Sequence, residues 1–309
     1  MSDFTHYTVM KNEAVDALNC RDGLVYVDCT LGGGGHSELI LQRISPDGKL
    51  IAFDIDDDAI NASKERLKNY KNLIIVKESY TNLKKVLLGL GIEKITGGVL
   101  FDLGASYHQL TKQERGFSFS KEAPLDMRFN QDSDFSAYDV VNYYNEDDLV
   151  RIFSEYGEER FSKRIAKAIV EERKKKKLET TTELADLIVR VTPKIKSKIH
   201  PATRVFQAIR IEVNNELQNV KNTLEDVLNL LSVGAIISVI SFHSLEDRVV
   251  KQVFKYYSQR CHCNEMICKC PPPKLELVNR KPIAASDEEI KQNPPSRSAK
   301  LRIAKCISV

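Results

Sequence analysis

The sequence predicts an α/β fold: an open, Rossmann-like parallel sheet flanked by helices and interrupted by a mainly helical insert. Three observations carry that prediction. Over the first hundred residues, short β-branched runs alternate with helical patterns. Several of those runs stop at an aspartate, namely Asp28, Asp54 and Asp102. A glycine turn, Gly32 to Gly35, separates the first run from the first helical stretch.

The elements follow in order. Leu24-Val25-Tyr26-Val27 reads as a strand ending in Asp28, and His36 to Ile44 as a helix. Leu50 to Phe53 is a second strand, ending in Asp54. Asp58 to Leu67 is a second helix, with Ala59, Ala62 and Leu67 facing inward. Leu73 to Val76 and Val99 to Phe101 are strands three and four. From about residue 107 the text turns polar and turn-rich. Phe161, Ile165 and Ile169 then recur at four-residue spacing, which is a helical stripe. Thr182 followed by Glu183 to Val189 reads as a capped helix that Pro193 ends, and Arg204 to Leu217 is amphipathic. The sheet resumes with a helix over Leu224 to Leu231, a strand over Ala235 to Phe242 and a closing strand over Lys300 to Ile307. The boundaries expected are 1–107 for the first part of the sheet domain, 108–210 for the insert and 211–309 for the second part.

Bulk properties exclude several classes. A chain of 309 residues with 42% hydrophobic and 29% charged residues can bury a real core, which excludes a mainly disordered chain. No apolar run approaches the roughly 20 residues of a membrane helix. The start MSDFTHYTVM has neither a basic nor an apolar region, so a cytoplasmic protein with no membrane association is expected. Net charge is only +3, but Arg151 to Arg210 holds 16 Lys and Arg against 8 Asp and Glu. The basic excess sits in the insert. It is either a set of solvated helix faces or a patch for a polyanion, since nucleic-acid affinity is mostly phosphate neutralisation.

In an open α/β sheet, ligands bind beyond the carboxyl ends of the strands. Asp28 to His36 runs strand, glycine turn, helix start, and Asp54 lies 22 residues after Gly32, at the end of the next strand. An acid at that place can accept both hydroxyls of a ribose. It can equally be a helix cap. The turn lacks a clean G-x-G-x-x-G and begins on an acid, Asp28. A carboxylate there repels a pyrophosphate and attracts an ammonium, which favours S-adenosyl-L-methionine over NAD. Asp102 lies where a methyl acceptor would sit. A carboxylate that accepts an N–H bond localises the lone pair of an exocyclic amine, a poor nucleophile otherwise.

Eight segments in this order resemble the bacterial family of small-subunit rRNA (cytosine-N(4))-methyltransferases: Thr30 to Ser37, Asp102 to Gly104, Glu114 to Phe119, Pro124 to Arg128, Tyr156 to Arg160, His200 to Arg204, Phe206 to Ile211 and Ser241 to Arg248. The resemblance covers nearly the whole chain. It implies a class I S-adenosylmethionine-dependent methyltransferase with a seven-stranded sheet and a helical substrate-recognition insert. It also implies N(4)-methylation of a cytidine in the decoding region of 16S rRNA within the small ribosomal subunit, with no stable protein partner. Carried over by position, the cofactor-binding residues are Gly34, Gly35, His36, Asp54, Tyr80, Asp102 and Gln109. The chain departs from the family at Ala105 to Thr111, where a proline is lost, and at Asn293 to Ser298, where one arginine is missing.

The candidate catalytic residues are Asp102 and His243, the latter following the strand Ala235 to Phe242. His243 can orient or deprotonate the base near neutral pH, or be a satisfied structural histidine. Asp126 and Arg128 can pair with each other or touch RNA. Lys174 to Lys177, Lys194, Lys196, Lys198 and Arg204 are the cations expected to grip the RNA backbone. Cys261, Cys263, Cys268 and Cys270 form two C-x-C pairs, read as a structural zinc site or as free thiols in a loop. No catalytic metal is expected. The rival functions are an NAD-dependent oxidoreductase, a catalytically silent rRNA-binding assembly factor and a DNA amino-methyltransferase.

Overall fold

The computed structural model describes residues 8–104, 113–193, 199–261 and 271–308. Gln109, Lys194, Lys196, Lys198, Cys263, Cys268 and Cys270 lie outside the described residues. The chain divides into two compact units, residues 1–104 with 217–309, and residues 105–216.

The first unit carries the sheet. Its strands are β1 (Val25–Asp28), β2 (Lys49–Asp54), β3 (Leu73–Lys77), β4 (Gly98–Asp102), β5 (Ile236–Ser241), β6 (Leu275–Leu277), β7 (Ile283–Ala284) and β8 (Lys300–Cys306). The order is β3-β2-β1-β4-β5-β8-β6, with two-residue β7 paired beside β8. Strands β1 to β5 are mutually parallel, and β8 runs antiparallel to β5, β6 and β7. The expected seven-stranded path is therefore present. Strands β1 to β5 are nearly continuous apolar runs, as a sheet covered on both faces requires. Tyr26, Val27, Ile51, Phe53, Leu100, Phe101 and Ile237 are all fully buried.

Strand order reverses between β1 and β4, because β2 lies on one side of β1 and β4 on the other. Such a switch point opens a crevice at the carboxyl ends of the strands. Register sets which residues reach it: Asp28 lies opposite Ala52 and Leu100, and Asp102 opposite Ile240.

Helices α1 (Lys11–Ala17), α2 (Gly35–Arg43), α3 (Asp57–Arg66) and α4 (Leu83–Gly89) precede the second unit. That unit holds α5 (Ala137–Tyr143), α6 (Glu146–Glu155), α7 (Ser162–Arg173), α8 (Thr181–Val191) and α9 (Thr203–Asn214). It has its own core, in which Val140, Leu149, Ile152, Phe153, Ile165, Ile169, Leu184, Ile188, Val205 and Ile209 are fully buried. The cap of helix α8 lies two residues before the expected one. Thr180, not Thr182, accepts from Glu183 N, and the Glu183 carboxylate bonds back to Thr180 N. After Asn215, in a left-handed conformation, α10 (Glu216–Leu230) begins well before Leu224. The amphipathic stretch from Arg204 is thus two helices with a break. Helices α11 (Ser244–Ser258) and α12 (Asp287–Gln292) complete the fold.

No helix among the described residues is long and apolar enough to cross a membrane.

Candidate cofactor and acceptor site

The turn after β1 is held by side chains that face inward. Asp28 is fully buried: Oδ1 accepts from Thr30 N (3.0 Å) and Oδ2 from the Ser37 hydroxyl (2.7 Å). Its carboxylate is sealed from solvent. Burial pushes its pKa up to about 6 despite those hydrogen bonds. Asp28 therefore acts on the crevice through its charge and through the turn it folds.

The glycines divide by what surrounds them. A Cβ on Gly35 would lie 1.8 Å from Thr8 Oγ1. Gly34, at φ 76°, would place one 3.0 Å from Ser63 Oγ and 3.2 Å from Leu67. Both are glycine because the chain itself fills the space. Gly32, at φ 48°, meets nothing closer than Thr30 O at 3.9 Å, so its open side admits a ligand close to the backbone. The Gly32 amide donates to Asp54 Oδ2 (2.8 Å), and its carbonyl accepts from Ser63 Oγ (2.7 Å).

Asp54, at the end of β2, also accepts from Asp56 N at Oδ1 (2.9 Å). Both its oxygens are engaged by backbone, and each retains a lone pair for a ribose hydroxyl. Burial raises its pKa above the ordinary carboxylate range. Tyr80 opens the one-turn helix Tyr80–Asn82 after β3. Its ring meets Phe101 edge-to-face at 5.9 Å and is only partly buried.

Asp102 ends β4. The Thr30 hydroxyl accepts its amide at 2.7 Å, which ties β4 to the glycine turn. Its Oδ1 is buried and has no hydrogen-bond partner among the described residues. Burial, then the carboxylates of Asp28, Glu246 and Glu289, push Asp102 well above the usual carboxylate range. His36 stands beside it, with Nδ1 3.8 Å from Asp102 Oδ2. His36 Nε2 lies 3.0 Å from Val9 O. A carbonyl only accepts, so Nε2 carries a proton. His36 is buried, so it presents its ring to Asp102 and not to solvent.

His243 is the N-cap of α11. Its Nδ1 accepts from Glu246 N at 3.4 Å, while Glu246 Oε2 accepts from Phe242 N (2.8 Å) and His243 N (3.3 Å). The capping role fixes the tautomer: with Nδ1 as acceptor, the proton of the neutral ring sits on Nε2. That atom is 3.1 Å from Glu246 Oε1 but not aligned for a hydrogen bond. With Nδ1 taken by the cap, Nε2 is the ring atom left to donate, and it is buried with no aligned acceptor among the described residues.

The structure thus gathers Gly32, Asp54, Tyr80, Asp102 and His243 at adjacent strand ends, with Gly34, Gly35 and His36 supporting them. The contributions of Thr30, Ser37, Ser63 and Glu246 lay unread inside quoted motifs or outside them. Ser-x-x-Glu-like capping spacing at His243 and Glu246 was the available signal. Several motifs of the second unit are internal. Asp126 and Arg128 form a bidentate pair at 2.9 and 2.7 Å. Gly157 admits no Cβ, since Arg204 O and Phe153 O would each lie 2.7 Å from it. Of the four clustered cysteines, Cys261 is described, and it is exposed.

Three carboxylates, Asp28, Asp54 and Asp102, carry raised pKa values, and none has a Lys or Arg ion-pair partner among the described residues. Such a site suits a ligand bearing positive charge and a diol, and disfavours a pyrophosphate. With the strand order and the antiparallel β8, these features define a class I methyltransferase.

The sequence profile of the MraW methylase family matches residues 3–307, and the chain belongs to that family. It is 49% identical over 309 residues to a protein of Clostridium botulinum called ribosomal RNA small subunit methyltransferase H, covering 99% of this chain and 100% of that one. A protein of the same name from Caldicellulosiruptor bescii is 53% identical over 304 residues, 97% of this chain and 99% of that one. A third, from Clostridioides difficile, is 49% identical over 312 residues, 99% and 100% of the two chains.

Proposed function

We propose that this protein transfers a methyl group from S-adenosyl-L-methionine to the N(4) amine of a cytidine in the decoding region of 16S rRNA, in the cytoplasm. The observation that carries the reading is the set of buried carboxylates without basic partners, which matches a cofactor with an ammonium and a sulfonium group. The relatives' shared name supports the small-subunit rRNA as substrate.

The bound cofactor supplies an electrophilic methyl group on a positively charged sulfur. Asp54 accepts the ribose hydroxyls, and Tyr80 offers a ring face to the adenine. The open side of Gly32 lets the cofactor approach the backbone. Positive charge beside Asp102 returns it to the carboxylate form. Its unpartnered Oδ1 then accepts an N–H of the cytosine amine, which directs the nitrogen lone pair at the methyl group. With the cofactor bound, Asp102 would take the amine proton as the nitrogen accepts the methyl group. His243 Nε2–H donates to N3 or O2 of the base, both acceptors, and so orients the ring. The base must leave its stack to reach these groups. The central unit, residues 105–216, is the part that recognises RNA.

The test is nucleoside mass spectrometry of small subunits that lack the modification, after incubation with the protein and labelled cofactor. Label in N(4)-methylcytidine is the expected result. Labelled rRNA with the methyl elsewhere sinks the atom assignment. Absence of label with S-adenosylhomocysteine binding intact sinks the substrate assignment.

A further inference from the structure

The expected RNA grip at Lys174–Lys177 does not look like a phosphate site in the structure. Lys174 Nζ lies 2.8 Å from Glu171, Lys176 2.8 Å from Glu183 and Lys175 3.9 Å from Glu172. Lys177 donates to Asn142 O and sits 4.3 Å from the centre of the Tyr143 ring. The run is locally neutralised by the glutamates around it.

A different set of cations is not. Arg160, Lys163, Arg164 and Lys167 are all exposed, and no acid occurs in the sequence from Arg160 to Val170. None of the four has an ion-pair partner among the described residues. Lys163, Arg164 and Lys167 share one face at the start of α7, and Arg160 lies in the turn just before it. The opposite face is locked into the core of the second unit by Ile165, Ala166 and Ile169. A fifth cation joins them. Exposed Arg204 donates to Glu158 O at 3.1 Å, and Gln207 donates to Tyr156 O at 3.1 Å, which docks α9 against the turn before Arg160. The close approach of Arg204 O to Gly157 fixes that docking. The turn and α9 thereby hold the five cations on one rigid support.

We infer that this face, Arg160, Lys163, Arg164 and Lys167 with Arg204, is the surface that binds the phosphodiester backbone of the RNA substrate. The inference rests on the proposed rRNA function and names the surface that function needs. Charge complementarity selects the occupant. The helical cations, Lys163 to Lys167, span about 6 Å of helix, comparable with about two phosphate spacings of one strand at about 3.4 Å each. Three of the five are arginines, whose forked guanidinium matches a phosphate bidentately.

The experiment compares three proteins on small subunits lacking the modification: wild type, Lys163→Ala/Lys167→Ala, and Lys174→Ala/Lys175→Ala. Filter retention of 16S rRNA over a salt series reads binding, and labelling kinetics read catalysis. The first pair should lower the slope of log affinity against log salt by about 1.4 to 1.8, that is about 0.7 to 0.9 per cation removed. It should raise KM tenfold or more near physiological salt, with kcat and S-adenosylhomocysteine binding close to wild type. The second pair should move KM less than threefold. Wild-type binding by the first pair, or a loss in the second pair equal to or larger than in the first, overturns the surface. Salt-dependent binding through the first pair, without any labelled cytidine in wild type, leaves the surface standing and overturns the functional reading.

Discussion

Replacing Asp28 by Asn should make the cofactor-free protein more stable at neutral pH. Asp28 is fully buried and has its pKa raised from 3.8 to about 6, chiefly by burial. A carboxyl that binds its proton more tightly in the native state than in the unfolded one favours folding at low pH. That advantage drains away as pH rises from the unfolded value through the folded one, and is constant above it. Two pKa units at about 1.4 kcal/mol each amount to about 3 kcal/mol, nearly absent below pH ~3 and almost fully expressed above pH ~6.5. Asn keeps the shape and the hydrogen bonds: its carbonyl accepts from Thr30 N, and its amide donates to Ser37 Oγ in place of the reverse. Urea unfolding of both proteins near pH 4.5, 6 and 7.5 reads the difference. It should be about 1 kcal/mol near pH 4.5 and grow to about 3 kcal/mol at about pH 7.5, in favour of the variant. S-adenosylhomocysteine should bind the variant more weakly, because the crevice has lost a negative charge. A variant equally or less stable than wild type at about pH 7.5 refutes the reasoning.

Asp102→Asn should leave S-adenosylhomocysteine binding intact by calorimetry and cut single-turnover methylation by roughly 10²- to 10⁴-fold; full activity would remove Asp102 from the chemistry. His243→Asn separates capping from base orientation, since Asn is a good N-cap. The variant should unfold at the wild-type urea midpoint, yet methylate at least tenfold more slowly. Gly35→Ala should destabilise by about 1 to 3 kcal/mol through its clash with Thr8, and Thr8→Gly in the same chain should recover most of that loss in urea unfolding. Phe153→Ala, in the core of the second unit, should cost about 3 to 5 kcal/mol, read as an early transition in that unit's hydrogen exchange.

The strand ends were legible because they are local. Asp28, Asp54 and Asp102 each close a short apolar run, and a parallel sheet puts all such ends at one edge. What each acid does there was not legible. Asp28 was read as a ligand contact, but Ser37 and Thr30 enclose it. Gly34 and Gly35 look like room for a cofactor, while Ser63, Leu67 and Thr8 occupy that room. These partners come from α2, α3 and the segment before α1, and no periodicity announces them. The Met10 amide donating to Glu289, 279 residues away, shows the same limit. Charge blocks misled for a simpler reason. Lys174–Lys177 is conspicuous in the text, yet helix geometry brings Glu171, Glu172 and Glu183 to it. The less dense set from Arg160 to Lys167 has no ion-pair partner among the described residues, because no acid occurs between Arg160 and Val170. Helix α11 was missed because its cap is a histidine, a poor signal among the usual Ser, Thr, Asp and Asn.

The place of β8 has a consequence for how the chain is made. It follows every other strand in sequence, yet it sits inside the sheet, between β5 and β6. Strands β4 and β5, also neighbours, are separated by the whole second unit. During synthesis the first four strands emerge with one flank waiting for β5, and β5 in turn waits for β8. The second unit, whose contacts are sequence-local, can fold while the sheet is still open. Pairing of the β5 edge must therefore wait for β8, and a nascent chain stopped before Lys300 leaves β5 and β6 without their shared partner.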